Sequence, residues 1–299
     1  MGEFAVDAAK SYQIGAARGN LSILSAMEIA PDGFFENFGQ GINDLILAHR
    51  SVLEKKRKLD AASTRRHAAV GPKARWVDGT PEYSLHICGL RKLFPDALFI
   101  HLVRNVDAVV RSLLNFHRVS GIHLVANEED AYQYWLRRAK ACLKAEQAYG
   151  PKVVRRVLYS NLVENSESAM QSLLEFVGEL YSAKCLEPLG ERINSSNVPP
   201  DFESEDSATD RAIVEEARRL SAELEQTAQP SEPSPAAADE MEKTFRKRVE
   251  YMATLDTAYQ KAQQIIKMLN HAALPLYVMT QAAAIAITDP CITVLSQLS

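Results

Sequence analysis

Apolar and polar positions follow two different periods along this chain, and the changes of period mark its elements. Residues 97–103, Ala-Leu-Phe-Ile-His-Leu-Val, are apolar at nearly every position, the pattern of a strand covered on both faces. The run ends on Arg104 and passes at once into 105–116, where apolar residues recur at helical spacing. Residues 153–159, Val-Val-Arg-Arg-Val-Leu-Tyr, read as a second buried strand. Between the two lies a helix at 129–148, with Ala131, Tyr134, Trp135, Ala139, Cys142 and Ala145 on its apolar side and Gly150-Pro151 to stop it. A further helix over 169–177 is closed by Gly178.

Upstream, residues 1–70 read as helical, most clearly at 42–59, and Gly71-Pro72 marks a loop. The stretch 75–83, Arg-Trp-Val-Asp-Gly-Thr-Pro-Glu-Tyr, reads as a short strand ending in a turn, followed by an amphipathic helix through Leu90 and Leu93. Strand, helix and strand in this order predict parallel pairing with a right-handed crossover. The expected fold class is therefore α/β, a parallel sheet with helices on both faces, in a domain spanning residues 1–226.

Beyond it, residues 227–239 are rich in Pro, Ala and Ser and read as a linker of polyproline character. Within 240–270, Phe245, Val249, Met252, Leu255, Tyr259, Ala262, Ile266 and Leu269 are spaced 4, 3, 3, 4, 3, 4 and 3 apart. That is close to a heptad repeat and predicts a long helix that packs along a partner helix, either within the chain or in a homodimer. The tail at 271–299 is largely apolar, yet it contains Pro275 and Gln281, and its apolar run falls short of the roughly 20 residues a membrane span requires. A docked or loosely ordered tail is expected, and no membrane span.

A chain of 299 residues with 46% hydrophobic residues can fill a sizeable core. Its net charge of −4 argues against a general nucleic-acid binder, but residues 91–156 carry twelve Lys/Arg against six Asp/Glu. A locally basic region inside an acidic protein favours a small anionic ligand. The four cysteines, Cys88, Cys142, Cys185 and Cys291, form no CxxC pair and no zinc-like spacing, so free thiols, no metal and a cytoplasmic location are expected. The basic runs Lys55-Lys-Arg-Lys58 and Arg65-Arg66-His67 read as a solvated helix end.

The chemistry concentrates where the apolar run 97–103 ends. Open α/β sheets bind ligands beyond the carboxyl ends of their strands. Arg104 offers a planar fork suited to phosphate there, and the amides of the following helix and the Ser112 hydroxyl can donate to the same anion. The plain alternative pairs Arg104 with Asp107 and packs Ser112 in mid-helix. His101, inside the apolar run, reads as a hydrogen-bonded core residue, while His117 and His123 read as surface histidines.

Three stretches resemble the sulfotransferases that use 3′-phosphoadenosine-5′-phosphosulfate, together covering about residues 71–190. Trp76-Val-Asp-Gly-Thr-Pro-Glu-Tyr83 is similar to the family's Lys-Thr-Pro turn, although Gly79 stands in the lysine position. Phe94-Pro through Arg104 to Ser112 is similar to the strand, arginine and serine that grip the 3′-phosphate. Val157-Leu-Tyr159-Ser-Asn-Leu162 is similar to the family's Tyr-Glu-Asp-Leu segment without its two acids, and the helix through Leu174, Phe176 and Gly178 resembles the Phe-Leu-Gly ending.

The resemblance implies a P-loop-like fold and a sulfotransferase of bacterial type, acting on a hydroxyl acceptor, with Arg104 and Ser112 as cofactor-binding residues. It also implies a 5′-phosphate loop, to which residues 14–24, with Arg18 and Ser22, are the nearest approach. That loop is either degenerate here or lies outside this sequence, and the shortage of small residues favours the second. The glycine-rich base-binding motif has no match, and Asn194-Ser-Ser-Asn197 is at most a loop in a comparable place. Asp78 is the best-placed carboxylate for a catalytic base, ahead of Glu3, His86 and Glu82. A non-catalytic binding or assembly module on the same fold stands as the alternative, and the absence of a GxxxxGK[ST] motif disfavours a nucleotide kinase.

Overall fold

β-branched and large apolar side chains fit a pleated, half-buried surface, and two such runs form the sheet. β1 (Phe99–Val103) and β2 (Val154–Leu158) pair in parallel, with Phe99 beside Val154 and Val103 beside Leu158. A parallel pair needs a long crossover, and three helices supply it between the strands: α5 (Val106–Asn115), α6 (His117–Ser120) and α7 (Glu128–Tyr149). Asn105 and Asn127 start α5 and α7 by accepting the amides of Ala108 and Asp130 at 3.2 and 2.9 Å. After β2 come α8 (Tyr159–Glu164) and α9 (Ser166–Val177), which Gly178 ends in the left-handed conformation at φ 70°.

This computed structural model describes residues 1–61, 75–190, 206 and 208–295, so the expectations at Arg65-Arg66-His67, Gly71-Pro72 and Asn194–Asn197 lie outside the described residues. The chain divides into two units, Met1–Arg246 and Lys247–Ser299. In the first, α1 (Gly2–Ala16), α2 (Ile23–Ala26) and α3 (Pro31–Ala61) precede α4 (Ile87–Leu93), and α3 meets the end of α4 closely. A Cβ on Gly39 would fall 1.7 Å from the Leu93 carbonyl oxygen, so only glycine fits that crossing.

The main core lies between the sheet, α5, α7 and α10 (Arg211–Gln226), where Val103, Val106, Val110, Tyr132, Trp135, Ala217 and Leu224 are buried together. A second cluster joins Ile87 and Cys88 of α4 to Ala145 and Ala148 of α7, Val154 of β2, and Met241 near the start of α11 (Pro235–Leu295). No helix among the described residues is long and apolar enough to cross a membrane.

Two expectations need correction. The sheet holds only two strands among the described residues, and its cover is one-sided over β1: His101 and Val103 are buried, whereas Ile100 and Leu102 are 44% and 52% exposed. Over β2 the outer face is covered by α9, with the Arg155 guanidinium 5.2 Å from the Phe176 ring centroid. The short strand expected at 75–83 is not one. Residues 75–80 are irregular and lead into a 3-10 turn at Pro81–Leu85, because the Asp78 side chain captures the backbone there.

The Pro- and Ser-rich stretch after α10 runs along the outer edge of β2. The Arg156 amide donates to Gln229 Oε1 at 2.9 Å, and Gln229 Nε2 donates to the Val154 carbonyl. One side-chain amide thus makes the two bonds a third strand would make. The Ser234 amide then donates to the Gln147 carbonyl at 2.7 Å, and α11 begins at Pro235.

Glu146 of α7 is fully buried and joins the sheet to its covering helix. His101 Nδ1 lies 2.6 Å from Glu146 Oε1, and the Arg156 Nε and Nη2 atoms reach the same carboxylate at 3.1 and 2.5 Å. The partners sit opposite each other in register, on β1 and β2. Burial pushes the Glu146 pKa up, but the hydrogen bonds from His101 and Arg156 outweigh it and hold the carboxyl below its ordinary value of 4.5.

Removing this carboxylate strands a buried guanidinium. Glu146→Ala is expected to cost about 3–5 kcal/mol in urea unfolding. Because the folded pKa is depressed, the contribution is fully present above the unfolded value and is lost as pH falls through the folded one. The wild-type urea midpoint should therefore drop on the acid side of 4.5 more steeply than that of Glu146→Gln. Parallel pH profiles for the two proteins would remove the linkage from Glu146.

Candidate functional site

The parallel register sets the carboxyl ends of β1 and β2 side by side, so the residues beyond them meet. Arg104 comes directly after β1 and Tyr159 directly after β2. The Arg104 guanidinium carbon lies 4.8 Å from the Tyr159 ring centroid, a cation–π contact that steadies the fork. Two of the stretches singled out in the sequence are thereby brought together beyond the carboxyl edge of the sheet, the place where open α/β sheets in general bind their ligands.

Asp107, the local carboxylate that could have paired with Arg104, is engaged elsewhere. Its Oδ1 accepts from the Tyr132 hydroxyl at 2.6 Å and from Arg218 Nε at 3.1 Å. Among the described residues Arg104 forms no ion pair, and it lies half-buried beside Tyr159. Arg218 lies 111 residues from Asp107 along the chain, so no local pattern could have pointed to this clamp.

The helix amides expected to share the anion are largely used internally. The Val106 amide donates to Ser221 Oγ at 3.3 Å and the Ala108 amide to Asn105 Oδ1 at 3.2 Å. Ser112 is half-buried on the second turn of α5 and interacts with a neighbour of its own. Of the groups expected at this edge, the arginine is the one whose donors are least engaged among the described residues.

Asp78 stands on a different element and is exposed. Its Oδ1 accepts the Thr80 hydroxyl and amide at 2.6 and 3.0 Å, and its Oδ2 accepts the Tyr83 hydroxyl at 3.0 Å. The Thr80 hydroxyl, against a partial desolvation, holds the Asp78 pKa below its ordinary value. Among the described residues Asp78 makes no hydrogen bond or ion pair with Arg104 or Ser112.

The turn is fastened on several sides. Glu82 accepts from the Tyr134 hydroxyl at 2.6 Å and from Arg138 at 3.2 Å, and Trp76 Nε1 donates to Asn43 Oδ1 at 3.0 Å. Arg75 donates to the Val177 carbonyl and pairs with Glu179 at 3.3 Å, placing a cation at the C-terminus of α9. The weaker base candidates are occupied as well, Glu82 by these bonds and His86 facing Glu3 at 3.9 Å. His101 is a buried partner of Glu146, and His117 stacks on His123 at 4.3 Å between ring centroids.

Residues 14–24 form a corner between helices. α1 runs to Ala16, and a 3-10 turn at Gly19–Leu21 leads into α2. The Arg18 amide donates to Ser22 Oγ at 2.7 Å, the Leu21 amide to the Arg18 carbonyl, and the Ser22 amide to the Gly19 carbonyl. These bonds close the corner between two helices, and α1 precedes it where a phosphate loop would follow a strand.

Residues 43–182 match the model of the sulfotransferase family, a span that holds Asp78, Arg104, Ser112 and Tyr159 and excludes 14–24. Among solved structures, the sulfotransferase domain from the Synechococcus PCC 7002 olefin synthase is similar at 16% identity and a TM-score of 0.35, covering 75% of this chain and 73% of that one. The sulfotransferase domain from the curacin biosynthetic pathway is similar at 16% identity and a TM-score of 0.32, covering 56% of this chain and 60% of that one. No curated protein matches the chain at a significant level.

The clamp on Asp107 gives an ordered pair of effects. Asp107→Ala strands the hydroxyl of the fully buried Tyr132 and is expected to cost about 1–3 kcal/mol in urea unfolding. Arg218→Ala, at a side chain 46% exposed, should cost under about 1 kcal/mol. Equal costs would mean that the hydroxyl bond contributes little.

Proposed function

We propose, from the match of residues 43–182 to the sulfotransferase family, that the chain binds 3′-phosphoadenosine-5′-phosphosulfate and transfers its sulfuryl group to a hydroxyl acceptor. The observation that carries the proposal is Arg104: a half-buried guanidinium at a strand end, held against Tyr159 and without an ion pair among the described residues, Asp107 being bound by Tyr132 and Arg218. An isolated, oriented fork of this kind is suited to a phosphate monoester, which accepts two parallel charge-assisted hydrogen bonds. In this reading Arg104 grips the 3′-phosphate and Ser112, farther along α5, donates to it.

The same reading takes the two strands as the ligand-bearing part of a P-loop-like α/β sheet in a cytoplasmic protein of bacterial type. Sulfuryl transfer demands in-line placement of acceptor and donor and stabilisation of charge on the leaving oxygen. Asp78, ionised and already accepting three hydrogen bonds, is a weak proton acceptor, and we assign it the holding of the Thr80-Pro81 turn instead of the role of base.

A second reading, a binding or assembly module that retains the fold without turnover, is favoured by one observation. The corner at 14–24 joins two helices and uses the Arg18, Leu21 and Ser22 amides within itself, which is not the strand-to-helix loop that cradles a 5′-phosphate.

Titration calorimetry with 3′,5′-adenosine bisphosphate, against adenosine 5′-monophosphate as control, tests the site. The bisphosphate should bind the wild type more tightly than the monophosphate. Arg104→Ala should weaken the bisphosphate about 10- to 100-fold, the equivalent of losing a charged hydrogen-bond pair, and leave the monophosphate nearly unchanged. Equal affinity for the two nucleotides, or indifference to Arg104→Ala, would overturn the assignment. Binding without sulfuryl transfer to any hydroxyl acceptor would favour the module.

A further inference from the structure

The second unit of the chain is, from Lys247 to Leu295, the continuation of α11. Its apolar side chains are exposed: Tyr251 62%, Leu255 43%, Tyr259 66%, Ile265 57%, Ile266 50% and Leu269 62%. At 3.6 residues per turn these six, with Met252 and Ala262, fall within one stripe about 140° wide. Glu250, Asp256, Lys261 and Lys267 all lie outside it. From Leu255 onward the steps are 4, 3, 4 and 3, a strict heptad, and the step of three between Met252 and Leu255 breaks the register only at its start.

We infer that this stripe is the interface of a homodimer in which 251–269 of one chain packs along the same segment of a second copy. Three observations select that occupant. Among the described residues the unit contains no second element that could cover the stripe from within. The exposed parts of the six side chains amount to roughly 750 Å² per chain, close to the roughly 800 Å² that each partner contributes to a stable interface of standard size.

Charge supplies the third. Residues at the margins of a helical seam choose the partner by their charges. Here one margin holds Gln263 and a single acid, Asp256, and the other holds Thr254 and a single base, Lys261. Two identical copies can therefore face each other without a row of like charges, and no basic or acidic stripe invites a different chain. A self-complementary stripe of this kind closes by a two-fold axis and leaves no surface for further growth.

The test is the mass of the full chain in solution by light scattering and sedimentation equilibrium at tens of micromolar. The wild type should run at twice its monomer mass of 33.2 kDa. Ile266→Glu with Leu269→Glu, which places charges in the stripe, should raise the dissociation constant at least about 100-fold and give the monomer mass. Gln260→Glu with Gln264→Glu, on the opposite side of the helix, should leave the dimer intact. A monomeric wild type overturns the inference and leaves the stripe to another protein or to the rest of the chain. An unchanged mass for the stripe variant overturns it as well, by moving self-association to another surface. Ile266→Ala with Leu269→Ala, which keeps helix propensity, should weaken the dimer in the same direction, so a loss of helix content in the glutamate variant, seen by far-ultraviolet circular dichroism, leaves the test standing.

Discussion

A buried carboxylate shared by two strands organises this protein. Glu146 lies on the helix that covers the sheet, and its two partners lie in register on β1 and β2, so one ionised group holds three elements in a single arrangement. Two-stranded sheets are marginal on apolar contacts alone, and the ion pair adds a directional bond that a slip of one residue would break. A slip of either strand would also turn its own member of the pair, His101 or Arg156, to the outer face and leave Glu146 in the core with one partner. The register in turn decides what stands at the strand ends. Arg104 meets Tyr159 because Val103 pairs with Leu158, and Val103 pairs with Leu158 because His101 and Arg156 converge on Glu146.

The state of Arg104 follows from a division of acids among bases. The local acid, Asp107, is drawn away by a buried hydroxyl and by an arginine from α10, and among the described residues Arg104 has no ion pair. The turn at 78–83 is similarly self-contained, its carboxylate held by Thr80 and Tyr83. What distinguishes the two places is engagement: among the described residues the guanidinium has only its ring contact, while the carboxylate already accepts three hydrogen bonds.

Much of this was legible in the sequence, for identifiable reasons. β1, β2, α7 and the Gly178 stop arise from apolar period and from glycine's access to positive φ, both local properties. His101 was readable as a core residue because it sits inside an apolar run. The rest depends on contacts between distant residues. Neither Arg218 on Asp107 nor Gln229 on β2 leaves a trace in any short window, since the partners are 111 and 75 residues apart. The strand expected at 75–83 failed for a local reason instead: an aspartate two residues before a threonine competes for the backbone, and the alternation Trp76, Val77 and Asp78 was too short to prevail. Burial of both faces was inferred from the unbroken apolar run at 97–103, and such a run cannot say whether a second layer is present over β1.

The side-chain amide of Gln229 also has a bearing on biosynthesis. It closes the outer edge of β2, yet it is encoded 75 residues after the carbonyl it covers. At about 5–20 residues per second, that edge stays open for roughly 4–15 seconds after β2 has left the ribosome. During this interval the nascent chain presents a bare strand edge of the kind that recruits chaperones or neighbouring chains on the same message. Substitution of a residue far downstream, with no contact to the strand-end site, would lengthen that exposure and lower yield without altering the finished molecule's chemistry.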